Sequence, residues 1–254
     1  PSTFHAQALR AQAVIARTYA LAKLGRHATE GADLCADVHC QVFSTDGRQS
    51  PTTNEALRAT QELVLMFGDK LTEPYYHSAC GGITDDASYV WGPEYARPYL
   101  VGGLHMVTAK PGTTPGIDEI LNGEEKFCKR SGSVRWVRQY TASDVNMLVA
   151  KNLSKVTGDP NARITRVSNM IVEERTPRGR VLSLRVEGDG ASLVVSGDQV
   201  RWLFGSGVPG ADGLWSTLFA LTVTRDTAGA VRGYTFRGAG RGAQIGYPTA
   251  NLGS

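Results

Sequence analysis

The chain has 254 residues, 41% of them apolar and 20% charged, with a net charge of +3. A chain of that length buries roughly three-quarters of the surface its unfolded form exposes, so it needs no metal or disulfide merely to fold. No apolar run reaches the length of a membrane span, and 27 basic residues dispersed among 24 acidic ones argue against nucleic acid as a partner.

The opening "PSTFHAQALRAQ" has no initiator Met, signal peptide or targeting tail, and reads as a processed or excised segment. From His5 to Lys23 an Ala-rich run predicts a helix with Leu9, Ala13, Ala16 and Ala20 on one stripe and Gly25 as its stop. "TTNEALRATQELVL" predicts a second helix, started by a capping box between Thr52 and Glu55. "VLMFGDKLTEPYYHS" then predicts a hairpin turning at Gly68-Asp69.

Residues 80–102, rich in Gly, Pro and aromatics without a period, read as an ordered loop. Thr141 to Leu153 predicts a capped helix. From Ile164 to Phe236 the pattern alternates, with "VLSLRVEG", "ASLVVSG" and "LFALTVTRDTAGAVRGYTF" as strands between Gly/Asp turns. No repeat or clear linker interrupts the chain. The expected architecture is one α+β domain over 1–254, a helical N-terminal part packed on a β-rich C-terminal part. Within it, 1–100 carries the motif-bearing helices and site loops, 101–162 is a connecting helical region, 163–236 is β-rich and 237–254 is an atypical tail.

The four cysteines fall as a close pair, Cys35 and Cys40, and a distant pair, Cys80 and Cys128. Cys35, His39 and Cys40 offer two thiolates and an imidazole from one loop, with His27 upstream as a fourth donor. Two N and two S donors suit tetrahedral zinc, and a short-loop disulfide between Cys35 and Cys40 with a solvated His39 is the alternative. Asp33 and Asp37 read as loop caps. For Cys80 and Cys128 a structural disulfide is expected, with free buried thiols as the alternative.

Taken in order, "QALRAQAVIARTYAL", "DLCADVHCQVF", "YYHSACGGITDDASYVWG" and "RPYL" resemble the SpoIID/LytB family, stage II sporulation protein D and its amidase-enhancer relatives. The resemblance is close over about residues 1–100 and looser as far as Phe236. It implies action on bacterial peptidoglycan, outside the cytoplasm in the cell envelope, periplasm or sporulation septum. The implied reaction is lytic transglycosylation of glycan strands, and a cell-wall amidase is an implied partner. It also implies a site formed by the first helix, the Cys/His loop and the "YYHSACGG" turn, with Zn2+ held by His27, Cys35, His39 and Cys40. Four protein ligands leave no open position, so the ion shapes the site and does not activate water.

The implied chemistry has the muramyl 6-hydroxyl attack C1 while a carboxylic acid protonates the glycosidic oxygen, leaving a 1,6-anhydro end. Where the family reads Glu-Ala-Leu-Lys-Ala-Gln-Ala, this chain reads "QALRAQA", so Gln7 stands at one acidic position and cannot titrate. A second acidic position precedes the proline that matches Pro1. Gln12, Arg17, Tyr19, His77 and Ser78 are the expected substrate contacts. The plainer readings are an exposed polar Gln7, an Arg17 paired with a carboxylate, a Tyr19 packed in the core and a His77 packed among aromatics. Trp91, Tyr95 and Tyr99 either stack on sugar faces or close their own loop.

The tail "GAGRGAQIGYPTANL" lacks the family's "GHGVG"-type segment and resembles a short riboflavin kinase motif, whose barrel cannot fit in the two residues that remain. Two other functions compete with glycan cleavage. One is a non-catalytic peptidoglycan-binding or amidase-enhancing module, suggested by Gln7. The other is a Cys/His redox or metal-storage protein, for which only the cysteine cluster speaks.

Overall fold

A computed structural model describes residues 3–36, 39–41, 43, 49–106, 114–128, 131–205 and 213–242. Asp37 and the tail from residue 243 onward lie outside the described residues. Where the sequence suggests one domain, the structure draws two compact units, Pro1–Tyr75 and Tyr76–Ser254.

The first unit is built on α1 (Ala6–Ala22), entered at His5, whose Nδ1 accepts the Gln7 N–H at 3.3 Å. Its buried residues are Leu9, Ala13, Thr18 and Tyr19. The expected stripe therefore holds at Leu9 and Ala13, about one turn apart, and then shifts from Ala16 and Ala20 to the residues between them. The large Tyr19 ring takes the buried place, and the Thr18 hydroxyl is spent on backbone: it donates to Val14 O at 2.7 Å and accepts from Leu65 N at 3.0 Å.

Helix α2 (Pro51–Ala59) has Ser50 as N-cap and Pro51 in its first turn, so the Thr52/Glu55 capping box does not form. Thr52 lies inside the helix, its hydroxyl 2.8 Å from that of Ser50. The helix also stops short of Leu65. Arg17 Nη1 takes Thr60 O at 2.7 Å and Leu63 O at 2.8 Å, and Glu62 turns to φ 64°. The chain leaves the helix where α1 claims its carbonyls. The hairpin of β1 (Met66–Phe67) and β2 (Lys70–Leu71) follows as expected, with Gly68 at φ 61°.

In the second unit the loop after Cys80 contains only a short helix α3 (Ala87–Trp91) and a single 3-10 turn, with the Trp91 and Tyr95 rings 5.5 Å apart and edge-on. Next come α4 (Ile117–Asn122), β3 (Arg135–Thr141), α5 (Ala142–Thr157), β4 (Val167–Arg175), β5 (Val181–Gly188), β6 (Ala191–Ser196), α6 (Gln199–Leu203), β7 (Phe219–Arg225) and β8 (Val231–Ala239). The strands form two antiparallel sheets, in the orders β3-β8-β7 and β4-β5-β6. Helices in the first part and antiparallel sheets in the second make this an α+β fold, as the sequence indicates.

Helix α5 starts at Thr141 with a capping box to Asp144 and ends at Gly158 in the left-handed region. Its Val145, Leu148, Val149, Leu153 and Val156 bury one face, the spacing of an amphipathic helix. They join a core in which Phe236 meets Phe204, Phe219 and Tyr140 at ring separations of 4.7, 5.3 and 5.9 Å. Strand β3 pairs with β8 across about a hundred residues of sequence, Trp136 opposite Gly238. A Cβ at Gly238 would overlap the Trp136 indole, so glycine there makes room for the ring. Beneath the loop at 80–102 lies a buried ion pair, Arg180 Nε to Asp85 Oδ2 at 3.1 Å, with the Thr176 hydroxyl donating to Asp85 at 2.8 Å.

Candidate metal centre

The Cys/His loop of the first unit begins where α1 ends. Gly25 N–H donates to Asp33 Oδ1 at 2.9 Å, and His27 bridges to Ala32 around a 3-10 turn that closes at Gly31, φ 76°. This capping, as expected for Asp33, doubles the chain back so that His27 faces the segment carrying Cys35, His39 and Cys40.

One donor atom from each of these four residues lies within 4.8 Å of the others. Cys40 Sγ is 3.3 Å from His27 Nε2 and 3.8 Å from His39 Nδ1, and Cys35 Sγ is 3.6 Å from His39 Nδ1. A tetrahedral zinc with Zn–S about 2.3 Å and Zn–N about 2.0 Å sets its donors about 3.3–3.8 Å apart. The donor set and its spacing therefore fit the ion, and Cys35 and Cys40 are thiols and not a disulfide.

The surroundings orient the ligands. Glu30 Oε1 lies 3.0 Å from His27 Nδ1, which leaves Nε2 toward Cys40, the carboxylate–histidine arrangement common behind metal ligands. That same Glu30 contact, followed by Cys40, raises the His27 pKa. Burial alone would push the Cys40 thiol up, but hydrogen bonds with Cys35 and His27 and the charge of Arg26 outweigh it, and the thiol sits below its ordinary value. Arg26 donates to His39 Nε2 at 3.0 Å and to the Tyr19 hydroxyl at 3.3 Å.

The other expected residues are placed as follows. Gln7 and Gln12 are exposed on α1. Arg17 is committed to the two carbonyls at the end of α2. Tyr19 is 5% exposed, its pKa raised by burial, and its ring lies edge-on to Tyr75 at 6.4 Å. Arg17 and Tyr19 thus hold the first unit together. His77 and Ser78 belong to the second unit. They run beside Arg241, with Ser78 N–H donating to Arg241 O at 3.1 Å and Gly242 at φ 109° against His77.

Cys80 and Cys128, expected as a disulfide, are free thiols with sulfurs 3.7 Å apart. Between them stands Glu125, a carboxylate the sequence reading passed over. It is 2% exposed and accepts from Cys80 Sγ at 3.0 Å. The hydrogen bond with Cys128, then burial, pushes the Cys80 thiol well up, while the hydrogen bond from Cys80 brings Cys128 down to about 7. Only the pairing of Glu125 and Cys128 three residues apart hinted at this site.

The class of the first unit follows from comparison. Residues 1–67 match the family model described as Stage II sporulation protein, which bears out the resemblance carried by the helix and Cys/His motifs. Residues 87–246, more than half of the chain, match the model described as a domain of unknown function, DUF8618, and the chain belongs to that family. The looser resemblance read in the β-rich part falls within this second model.

Two curated relatives are similar over part of their length. An uncharacterized protein of Brachyspira hyodysenteriae is 33% identical over 97 residues, 38% of this chain and 26% of that protein. A Bacillus subtilis protein named Amidase enhancer is 35% identical over 101 residues, 40% of this chain and 13% of that protein. The chain therefore spans well under a third of either relative.

Proposed function

We propose that the chain acts on bacterial peptidoglycan outside the cytoplasm, as a module of the stage II sporulation protein D type that cleaves glycan strands by lytic transglycosylation. The observation that carries this reading is the His27/Cys35/His39/Cys40 cluster, its donors at tetrahedral spacing inside the matched residues 1–67. These four residues would hold zinc. When bound, the ion supplies a rigid crosslink of the loop after α1 and, with four protein ligands, no open coordination position.

The cleavage itself is an acid/base reaction. A carboxylic acid protonates the glycosidic oxygen, the muramyl 6-hydroxyl closes on C1, and the same group can take up the hydroxyl proton. Gln7, which stands at one of the two acidic family positions, cannot perform that transfer. Among the described residues no helix is long and apolar enough to cross a membrane.

A second reading is a non-catalytic module that binds glycan or enhances an amidase. It is favoured by the exposed Gln7 at an acidic family position and by the printed name of the Bacillus subtilis relative. Incubation of the intact protein with peptide-free glycan strands, read by mass spectrometry, separates the two. New 1,6-anhydromuramyl ends support cleavage. Sedimentation with sacculi but no new ends, even after Gln7→Glu, supports the binding module and sinks the lyase.

A further inference from the structure

We infer that the second unit holds a metal site of its own: Cys80, Glu125 and Cys128 bind a divalent, thiophilic ion, zinc above all, independently of the Cys/His cluster. The three donor atoms lie within 4.8 Å of one another. The sulfurs are 3.7 Å apart, close to the roughly 3.8 Å that separates two thiolates on one tetrahedral zinc. The carboxylate is already aimed. Phe127 N–H donates to Glu125 Oε1 at 3.0 Å and Cys128 N–H donates to Oε2, which fixes its plane as the supports behind a metal ligand do.

The two segments that bring these donors are clamped to each other from both sides. His105 N–H donates to Gly82 O at 2.7 Å and His105 O accepts from Lys126 N at 2.7 Å, so one residue spans the Cys80 and Cys128 loops. Arg135 reaches Gly81 O at 3.0 Å with one arm and Ile120 O and Gly123 O at 2.7 and 2.6 Å with the other. Metal sites rarely pre-exist in a loose chain, and this one is built before any ion arrives.

Charge and chemistry agree. Binding releases the two thiol protons and changes no oxidation state. Two thiolates and one carboxylate carry three negative charges, which a divalent ion and the neighbouring Arg135 guanidinium cancel. Two soft sulfurs with one oxygen select zinc over magnesium or calcium, and three protein ligands leave a fourth place for water beside the partly exposed Cys128. A simple disulfide explains less. A cystine has no S–H to give, and it would strip a donor from a carboxylate that is 2% exposed.

The test uses the intact protein, purified under reductant with zinc and analysed by elemental mass spectrometry. With Cys35→Ser and Cys40→Ser removing the first cluster, one equivalent of zinc should remain, and Cys80→Ser with Cys128→Ser should abolish it. Glu125→Gln, which keeps both thiols, should weaken cobalt binding at least tenfold, read from its thiolate charge-transfer band. No zinc on a folded protein whose two thiols are free overturns the site, and so does a Cys80–Cys128 linked peptide in the same preparation. Because the first cluster is absent, failure here leaves the reading of His27, Cys35, His39 and Cys40 untouched.

Discussion

Arg135 is the place where a single substitution should loosen the second unit most measurably. All five of its N–H donors are used, each on a backbone carbonyl: Nε on Leu121 at 2.8 Å, Nη1 on Gly81 and Val134, and Nη2 on Ile120 and Gly123. Burial pulls its pKa down from the ordinary arginine value, so the charge is held partly out of water. Hydrogen bonds to a charged group contribute about 1.5–3 kcal/mol each.

Five taken at face value would sum to about 7.5–15 kcal/mol, as much as the whole stability of a domain, about 5–15 kcal/mol. Arg135 is half-buried, and the loops can relax to let water reach some carbonyls, so the loss for Arg135→Met should be about 3–5 kcal/mol. Arg135→Lys keeps the charge but not the planar fork, and should recover less than half of that. Guanidinium denaturation followed by tryptophan fluorescence measures both. A loss under about 1 kcal/mol, or a lysine as good as arginine, would refute the claim that the fork clamps these loops.

Gly81→Ala should be strongly destabilising, because φ is 73° and the new Cβ would meet the backbone of Ala239 and Gly240 at 2.7 Å; a melting temperature within a degree or two of wild type would contradict that. Thr141→Ala removes the capping box of α5 and should cost about 1 kcal/mol in denaturant midpoint analysis. Asp189 accepts from the backbone of Thr165 and Arg166 and from the Thr165 hydroxyl, and these bonds depress its pKa. A depressed carboxylate stabilises above its unfolded pKa of about 3.9 and loses that contribution as pH falls through the lower folded value. The melting temperature gap between wild type and Asp189→Asn should therefore be open at pH 6 and narrow steadily as the pH is taken below the unfolded value of about 3.9.

Local chemistry explains what was legible. The hairpin at Gly68-Asp69, the strands β5 to β8 and the capped start of α5 are each specified within a dozen residues, by turn glycines, alternation or a capping pair. The Cys/His cluster was legible for the same reason, since all four donors lie within fourteen residues and a turn suffices to gather them. Strand β3 was missed because "RWVRQYT" alternates only Trp136 and Tyr140, and its pairing is decided by β8, with Gly238 as its counterpart.

The end of α2 was misjudged because the residue that stops it, Arg17, sits on another helix. The same holds for Glu125. Cys128 three residues on is the only nearby hint, and the burial of this carboxylate, 2% exposed, is decided by Cys80, forty-five residues earlier. The shift of burial toward Tyr19 is a packing choice that an Ala-rich stripe leaves open.

Zinc held by His27, Cys35, His39 and Cys40 is what the proposed function rests on most. Zinc-edge X-ray absorption on the Cys80→Ser/Cys128→Ser protein isolates that cluster. The prediction is one ion per chain with two sulfur neighbours near 2.3 Å and two nitrogen neighbours near 2.0 Å. A shell of oxygen and nitrogen alone, or a zinc-free protein with Cys35 linked to Cys40, would contradict it.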